Sequence, residues 1–151
     1  MKIPDLVDIN LTVQNDVAIA TLDRDDVRNA LSGTAIITDI ISLCNWVNSN
    51  NSIGAMVITG SGKAFSAGGN IKDMRDKKGD IFGGTPISQQ DGYRGGIQRM
   101  SQALYALEIP LLAAVNGPAV GAGLDLICMC DIRFGCQFSK VGETFVNLGL
   151  I

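Results

Sequence analysis

Two segments of this sequence share one grammar: an apolar strand-like run, a glycine-rich turn, then a helix start. The first follows Ala55–Thr59 and reads Gly60-Ser61-Gly62-Lys63-Ala64-Phe65-Ser66-Ala67-Gly68-Gly69-Asn70-Ile71. The second follows Leu111–Val115 and reads Asn116-Gly117-Pro118-Ala119-Val120-Gly121-Ala122-Gly123-Leu124-Asp125. Short apolar runs of this kind suit strands buried in a parallel sheet. Ahead of them, Ile9–Val13 and Val17–Leu22 alternate apolar and polar residues around Gln14-Asn15-Asp16, which predicts a β-hairpin. Ile36, Ile37, Ile40, Ile41, Cys44 and Val47 recur at helical spacing, predicting a helix over about 34–48 with Ser32 as its N-cap. Ile71–Lys78 predicts a short charged helix or turn, and the glycine-rich stretch 79–96 a mobile surface loop. Ile97, Met100, Ala103, Leu104 and Leu107 mark a second amphipathic helix, stopped by Pro110. Leu124–Cys130 predicts a buried helix and Ile132–Cys136 a third core strand. Helices alternating with apolar strands make an α/β fold, and 151 residues suit one domain.

The sequence contains no histidine. Ser-His-Asp and Cys-His nucleophilic sites are therefore excluded, as are histidine-ligated zinc, iron and haem centres. Acid–base chemistry must come from carboxylates, lysine, tyrosine, cysteine or backbone amides. A net charge of −3 argues against a nucleic-acid partner, whose binding rests on neutralised phosphates. Cys44, Cys128, Cys130 and Cys136 lack the spacing of a zinc knuckle or redox pair and read as reduced, buried thiols of a cytoplasmic protein. No stretch approaches the roughly 18–20 apolar residues of a membrane span, so no membrane partner is expected.

Simple readings of the glycine-rich loops fail. Gly60-Ser61-Gly62-Lys63 resembles part of a phosphate-binding P-loop, but Val57 stands where that motif needs glycine, and Ala64 where it needs a magnesium-binding hydroxyl. Neither loop spells G-x-G-x-x-G, and Ser66 has no histidine partner. Two tight turns would satisfy the pattern. So would two sets of unpaired backbone N–H groups converging on one negative oxygen, an oxyanion hole.

Longer motifs sharpen this. Asp23-Arg24 through Arg28-Asn29-Ala30-Leu31, Lys63 through Met74, Pro110 through Gly117, Gly121 through Leu126, and Cys130-Asp131-Ile132-Arg133 together resemble the crotonase superfamily, the enoyl-CoA hydratase/isomerase family, in order and at its spacing. The resemblance implies a spiral of ββα units that binds an acyl-CoA thioester, usually as homotrimers or pairs of trimers. CoA is part of the substrate and no further cofactor or metal is implied. Carried over by position, the oxyanion N–H donors are Gly69 and Ala122, the latter where the family usually has glycine. Arg28, Ala30, Ser66, Ala67, Gly68, Asn70, Ile71 and Lys72 would face CoA. Residues 61–80 hold five basic and three acidic side chains, net +2 against −5 for the remainder, a rim suited to a polyanion.

Hydratases of this family use two glutamates. The first position is Asp125, one methylene shorter; at the second stands Phe145, with Glu143 the nearest carboxylate. In an extended segment that two-residue shift keeps the same face, whereas on a helix it turns the side chain away. The resemblance thus implies an enoyl-CoA hydratase-like enzyme, with an enoyl-CoA isomerase using Asp125 alone, or a non-catalytic CoA-binding or assembly protein, as alternatives. The chain stops at Leu150-Ile151, where relatives continue into a C-terminal helical region, so a truncated or cleaved product is expected.

Overall fold

The computed structural model describes residues 2–149. The hairpin forms as expected, with β1 (Ile9–Gln14) antiparallel to β2 (Val17–Leu22) through a turn in which Asn15 and Asp16 take left-handed backbone angles. After β2 the chain runs through α1 (Ile36–Asn48) to β3 (Ala55–Gly60), which lies parallel to β2. The β4 strand (Leu111–Val115) adds beside β3, also parallel. The second glycine-rich segment holds a short strand β5 (Ala119–Val120) and the start of α6 (Ala122–Cys128), and β6 (Ile132–Gly135) and β7 (Val141–Gly142) follow. The main sheet has the order β1-β2-β3-β4-β6.

One face of this sheet carries the core. Ala18, Ala20 and Leu22 of β2, Met56 and Ile58 of β3, and Leu111, Ala113 and Val115 of β4 are buried, while the residues between them are partly covered. The apolar stripe of α1, with Ile36, Ile40, Leu43 and Cys44 almost fully buried, packs into the same cluster with Met100 and Leu104. Burial of each large aliphatic side chain contributes about 1.5–3 kcal/mol before chain entropy is counted. Among the described residues, no helix is long and apolar enough to cross a membrane.

Four local expectations are corrected. Ser32 does not cap α1. The Asp8 carboxylate reaches across from before β1 and accepts from the Ala35 N–H at 2.6 Å, while Asp39 holds Val7 and Asp8 through their N–H groups at 3.0 and 2.7 Å. A tertiary contact thus replaces the local cap. The stretch 79–96 is helical rather than a loop: α2 (Ile71–Asp76) is followed by α3 (Gly79–Phe82) and α4 (Pro86–Gly95), and then by α5 (Ile97–Tyr105). Thr85 caps α4 by accepting from the Ser88 N–H at 3.2 Å, with Pro86 at the first helical position. The predicted core strand over Ile132–Cys136 is an edge strand, β6, with all four of its residues exposed, because it pairs only with β4. The helix expected over Leu124–Cys130 begins earlier, at Ala122. The expected stop at Leu150-Ile151 lies outside the described residues.

A second, smaller layer positions the site. Ser66 forms a parallel bridge to Ala119, and β5 pairs in parallel with β7. Each pass of the chain after α1 therefore places one strand in the large sheet and one short extended segment in the small layer: β3 with Ser66, β4 with β5, and β6 with β7. This is the repeating spiral that the ββα reading anticipates.

Candidate active site

Because the three segments of the small layer run parallel, the residues that follow them emerge at the same end. The layer is held by Val120 N–H donating to Ser66 O at 3.1 Å, Ala119 N–H to Lys140 O at 2.8 Å and Gly121 N–H to Gly142 O at 2.9 Å. Gly68-Gly69, Gly121-Ala122 and Glu143 are thus brought to one place from segments far apart in sequence.

The first loop is braced from behind. Ser66 is fully buried; its hydroxyl donates to Asn29 O at 2.8 Å and accepts from the Gly68 N–H at 3.1 Å. Ala67 N–H donates to Arg28 O at 2.9 Å, and Leu31 N–H to Gly68 O at 2.8 Å. Ser32, the residue first read as a helix cap, instead accepts from the Asn70 N–H at 2.7 Å. Asn70 caps α2 by accepting from the Lys72 N–H at 3.0 Å. These bonds fix the peptide units on either side of Gly69, and among the described residues the Gly69 N–H itself donates to no protein acceptor.

The second loop approaches so closely that glycine is required. Gly68 has φ +73°, and a β-carbon there would stand 3.0 Å from the Ala122 nitrogen. A β-carbon on Gly123 would stand 2.5 Å from Ser66 O. Gly121 turns with φ +53° into α6, so Ala122 is its first residue, and among the described residues its N–H has no protein acceptor either. Helices α2 and α6 span only six and seven residues, so direct N–H donation carries more weight here than a helix dipole.

Asp125 lies on the first turn of α6 and Glu143 just after β7. Both residues are exposed. The Asp125 carboxyl is nonetheless partly desolvated. That desolvation first, and the negative charge of Glu143 second, raise its pKa above the usual aspartate value. Glu143 lies in neither a helix nor a strand, between β7 and the 3-10 turn, and its Oε1 accepts from the Thr144 and Phe145 N–H groups at 2.8 and 3.1 Å. Phe145 begins the 3-10 turn Phe145–Leu148, with its ring edge in van der Waals contact, 3.4 Å, with the β-carbon position of Gly121.

The remaining candidates surround this centre. Arg28 is exposed with φ +55°, at the end of the 3-10 turn Asp25–Val27, and Ala30 is buried. Ile71 and Lys72 are exposed on α2. Sequence reasoning did not find the side chains beside Gly69. A β-carbon at Gly69 would lie 2.9 Å from Met74 Cε and 3.8 Å from Phe82 Cζ. Met74, Phe82, Ile71, Gln89, Tyr93 and Leu148 line a cavity of about 430 Å³. The signal available was the apolar pair Ile81-Phe82 inside an otherwise polar, glycine-rich stretch.

The fold and the motifs can be set against known proteins. The sequence model of the family described as Enoyl-CoA hydratase/isomerase matches residues 12–151. A probable enoyl-CoA hydratase of Mycobacterium tuberculosis is 33% identical over 135 residues, covering 89% of this chain and 48% of that protein. A probable mitochondrial enoyl-CoA hydratase of Dictyostelium discoideum is also 33% identical, covering 89% of this chain and 45% of its own length. The chain thus spans about half the length of these relatives. Among solved structures, an enoyl-CoA hydratase from Shewanella pealeana superposes with a TM-score of 0.85 at 27% identity, covering 97% of this chain and 53% of its own. An enoyl-CoA hydratase/isomerase from Mycobacterium paratuberculosis gives 0.83 at 28% identity, covering 98% of this chain and 57% of its own. Motifs, layered strand order and the match over nearly the whole chain agree: this chain belongs to the enoyl-CoA hydratase/isomerase family and has its crotonase-type α/β fold.

Proposed function

We propose that this protein binds a 2-enoyl-CoA thioester and adds water across its double bond. The observation that carries the reading is the meeting of four groups from three passes of the chain: the Gly69 and Ala122 N–H groups, the Asp125 carboxyl and the Glu143 carboxylate. The thioester carbonyl oxygen lies between the two N–H donors, which stabilise the negative charge that grows on it as the enolate forms. No metal is needed for that step, and CoA enters as part of the substrate.

Hydration needs one group to take a proton from water and one to deliver a proton to the α-carbon. The raised pKa of Asp125 suits it to hold and deliver the proton. Glu143 has one oxygen engaged by two backbone N–H groups and acts through the other on the attacking water. Hydroxide adds to the β-carbon as the carbonyl oxygen takes up the charge, and the enolate then collapses with protonation at the α-carbon. Arg28 and Lys72, exposed beside the first loop, face the CoA phosphates. The reading carries homotrimeric or hexameric assembly and a cytoplasmic setting with it.

A second reading has its own observation. Phe145 occupies the second-acid position, and the binding of Glu143 Oε1 to the turn favours single-acid chemistry in which Asp125 shuttles a proton between the α and γ carbons. Incubation with crotonyl-CoA and with a 3-enoyl-CoA, following the conjugated-thioester absorbance, separates the cases. Loss of absorbance with the first supports hydration, and gain with the second supports isomerisation. Binding without either change supports a non-catalytic CoA-binding or assembly role and overturns both.

A further inference from the structure

We infer that Phe82 sets the length of acyl chain this site accepts, by walling off a second and larger cavity. The inference rests on the acyl-CoA reading above and adds to it a specificity-determining residue.

Phe82, whose Cζ lies 3.8 Å from a Gly69 β-carbon position, lines the cavity of about 430 Å³ together with apolar Ile71 and Met74 and the basic Arg75 and Lys77. Beyond Phe82 lies a cavity of about 750 Å³, with Leu31, Ala35, Ile37 and Ile81 among its apolar walls. Among the described residues, Phe82 alone borders both. The charged groups of the larger cavity are partly neutralised within the protein: Arg24 pairs with Asp8 at 3.3 Å, and Asp8 also accepts from the Ala35 N–H. Asp73, Lys78 and Asp80 also line this cavity, so an alkyl chain entering there runs along the aliphatic side of a wall that is charged elsewhere.

The wall is held firmly. Phe82 is 6% exposed, and its ring meets Tyr93 edge-on at 5.9 Å between centroids. Its carbonyl accepts from Gln89 Nε2 at 2.9 Å. Helix α4 presses on α3 through Gly92, where a β-carbon would stand 2.8 Å from Ile81 Cα. The ring, held edge-on by Tyr93, places its own volume between the two spaces. A thioester bound at Gly69 directs its acyl chain at this ring, so chains that outgrow the smaller cavity are refused.

The test is calorimetric titration of the whole chain with free CoA and with saturated acyl-CoAs from butanoyl to dodecanoyl, which bind without being hydrated. Wild-type protein is expected to bind butanoyl-CoA more tightly than dodecanoyl-CoA. In Phe82→Ala the ratio of dodecanoyl to butanoyl affinity rises, by at least about tenfold, since each methylene moved from water to an apolar cavity is worth about fourfold. Phe82→Leu, which keeps the core filled, gives a smaller rise, and Phe82→Trp lowers the ratio. Should Phe82→Ala not fold, the leucine and tryptophan variants still move the ratio in opposite directions. Butanoyl-CoA binding with a chain-length ratio unmoved in the folded variants overturns the role of Phe82 alone. Failure of wild-type protein to bind any CoA compound overturns the acyl-CoA reading itself, and the role of Phe82 with it.

Discussion

Gly68 and Ala122 are in such close contact that a β-carbon on Gly68 would stand 3.0 Å from the Ala122 nitrogen, and closer still to the Val120 carbonyl. The two glycine-rich loops do not merely lie near each other; the absence of one side chain lets their N–H groups share a space. Gly68 also has φ +73°, which L side chains rarely adopt. Gly68→Ala is expected to cost about 1–3 kcal/mol in urea unfolding and to weaken acyl-CoA binding in calorimetry. Gly95→Ala, on α4 with nothing within 4 Å of its β-carbon position, serves as the control and leaves stability unchanged or slightly raised.

Asp125 is expected to deliver the proton. Asp125→Asn should lower kcat/KM for crotonyl-CoA by about 10²–10⁴-fold, while binding of butanoyl-CoA persists. Full turnover in this variant would remove Asp125 from the mechanism.

The raised pKa of Asp125 has a sign in stability. A carboxyl whose folded pKa lies above its unfolded value keeps its proton in the folded state where the unfolded chain has lost it, so stability falls as pH rises from the unfolded pKa through the folded one. Carboxyl-carbon NMR titration should place Asp125 above the ordinary aspartate range. Glu143→Gln removes the second cause of the shift and should lower the pKa part of the way, leaving the desolvation share in place.

Asp39 is 3% exposed and accepts from the N–H groups of Val7 and of buried Asp8, the second of which would otherwise lack a partner. Asp39→Ala is expected to destabilise the protein by about 1–3 kcal/mol in urea unfolding. Asp39→Asn, which keeps one carbonyl oxygen, should cost less.

The expectation of four buried thiols holds for Cys44 and Cys130 but not for Cys128 and Cys136, which are exposed. Burial raises Cys44 and Cys130 to about 12, whereas the Ser139 hydroxyl and the Phe138 N–H lower the thiol of exposed Cys136. Iodoacetamide near neutral pH, followed by mass spectrometry, should modify Cys136 ahead of Cys44 and Cys130, which react only on unfolding. Ser139→Ala should slow labelling of Cys136.

Much of the fold was legible in the residues. The hairpin and the strands Ala55–Gly60 and Leu111–Val115 follow from apolar patterning and turn residues, and α1 from its helical period, because these signals act over a few residues. The 79–96 segment was misread because its glycines depress helix propensity, while its stability comes from α3 and α4 packing through Gly92. Thr85-Pro86, a cap followed by a first-turn proline, was a local sign of α4 that the glycine count outweighed.

By itself the sequence determined the family, the two glycine-rich loops and a chemistry confined to carboxylates and backbone amides, because an absent histidine and contiguous motifs need no folding to be read. Only the tertiary structure decided which residues meet. The parallel run of Ser66, β5 and β7 brings Gly69, Ala122 and Glu143 to one end, and Phe82 stands between two cavities. Pairings between distant segments depend on register and on close approach at single glycines such as Gly68, and those are settled by packing in three dimensions.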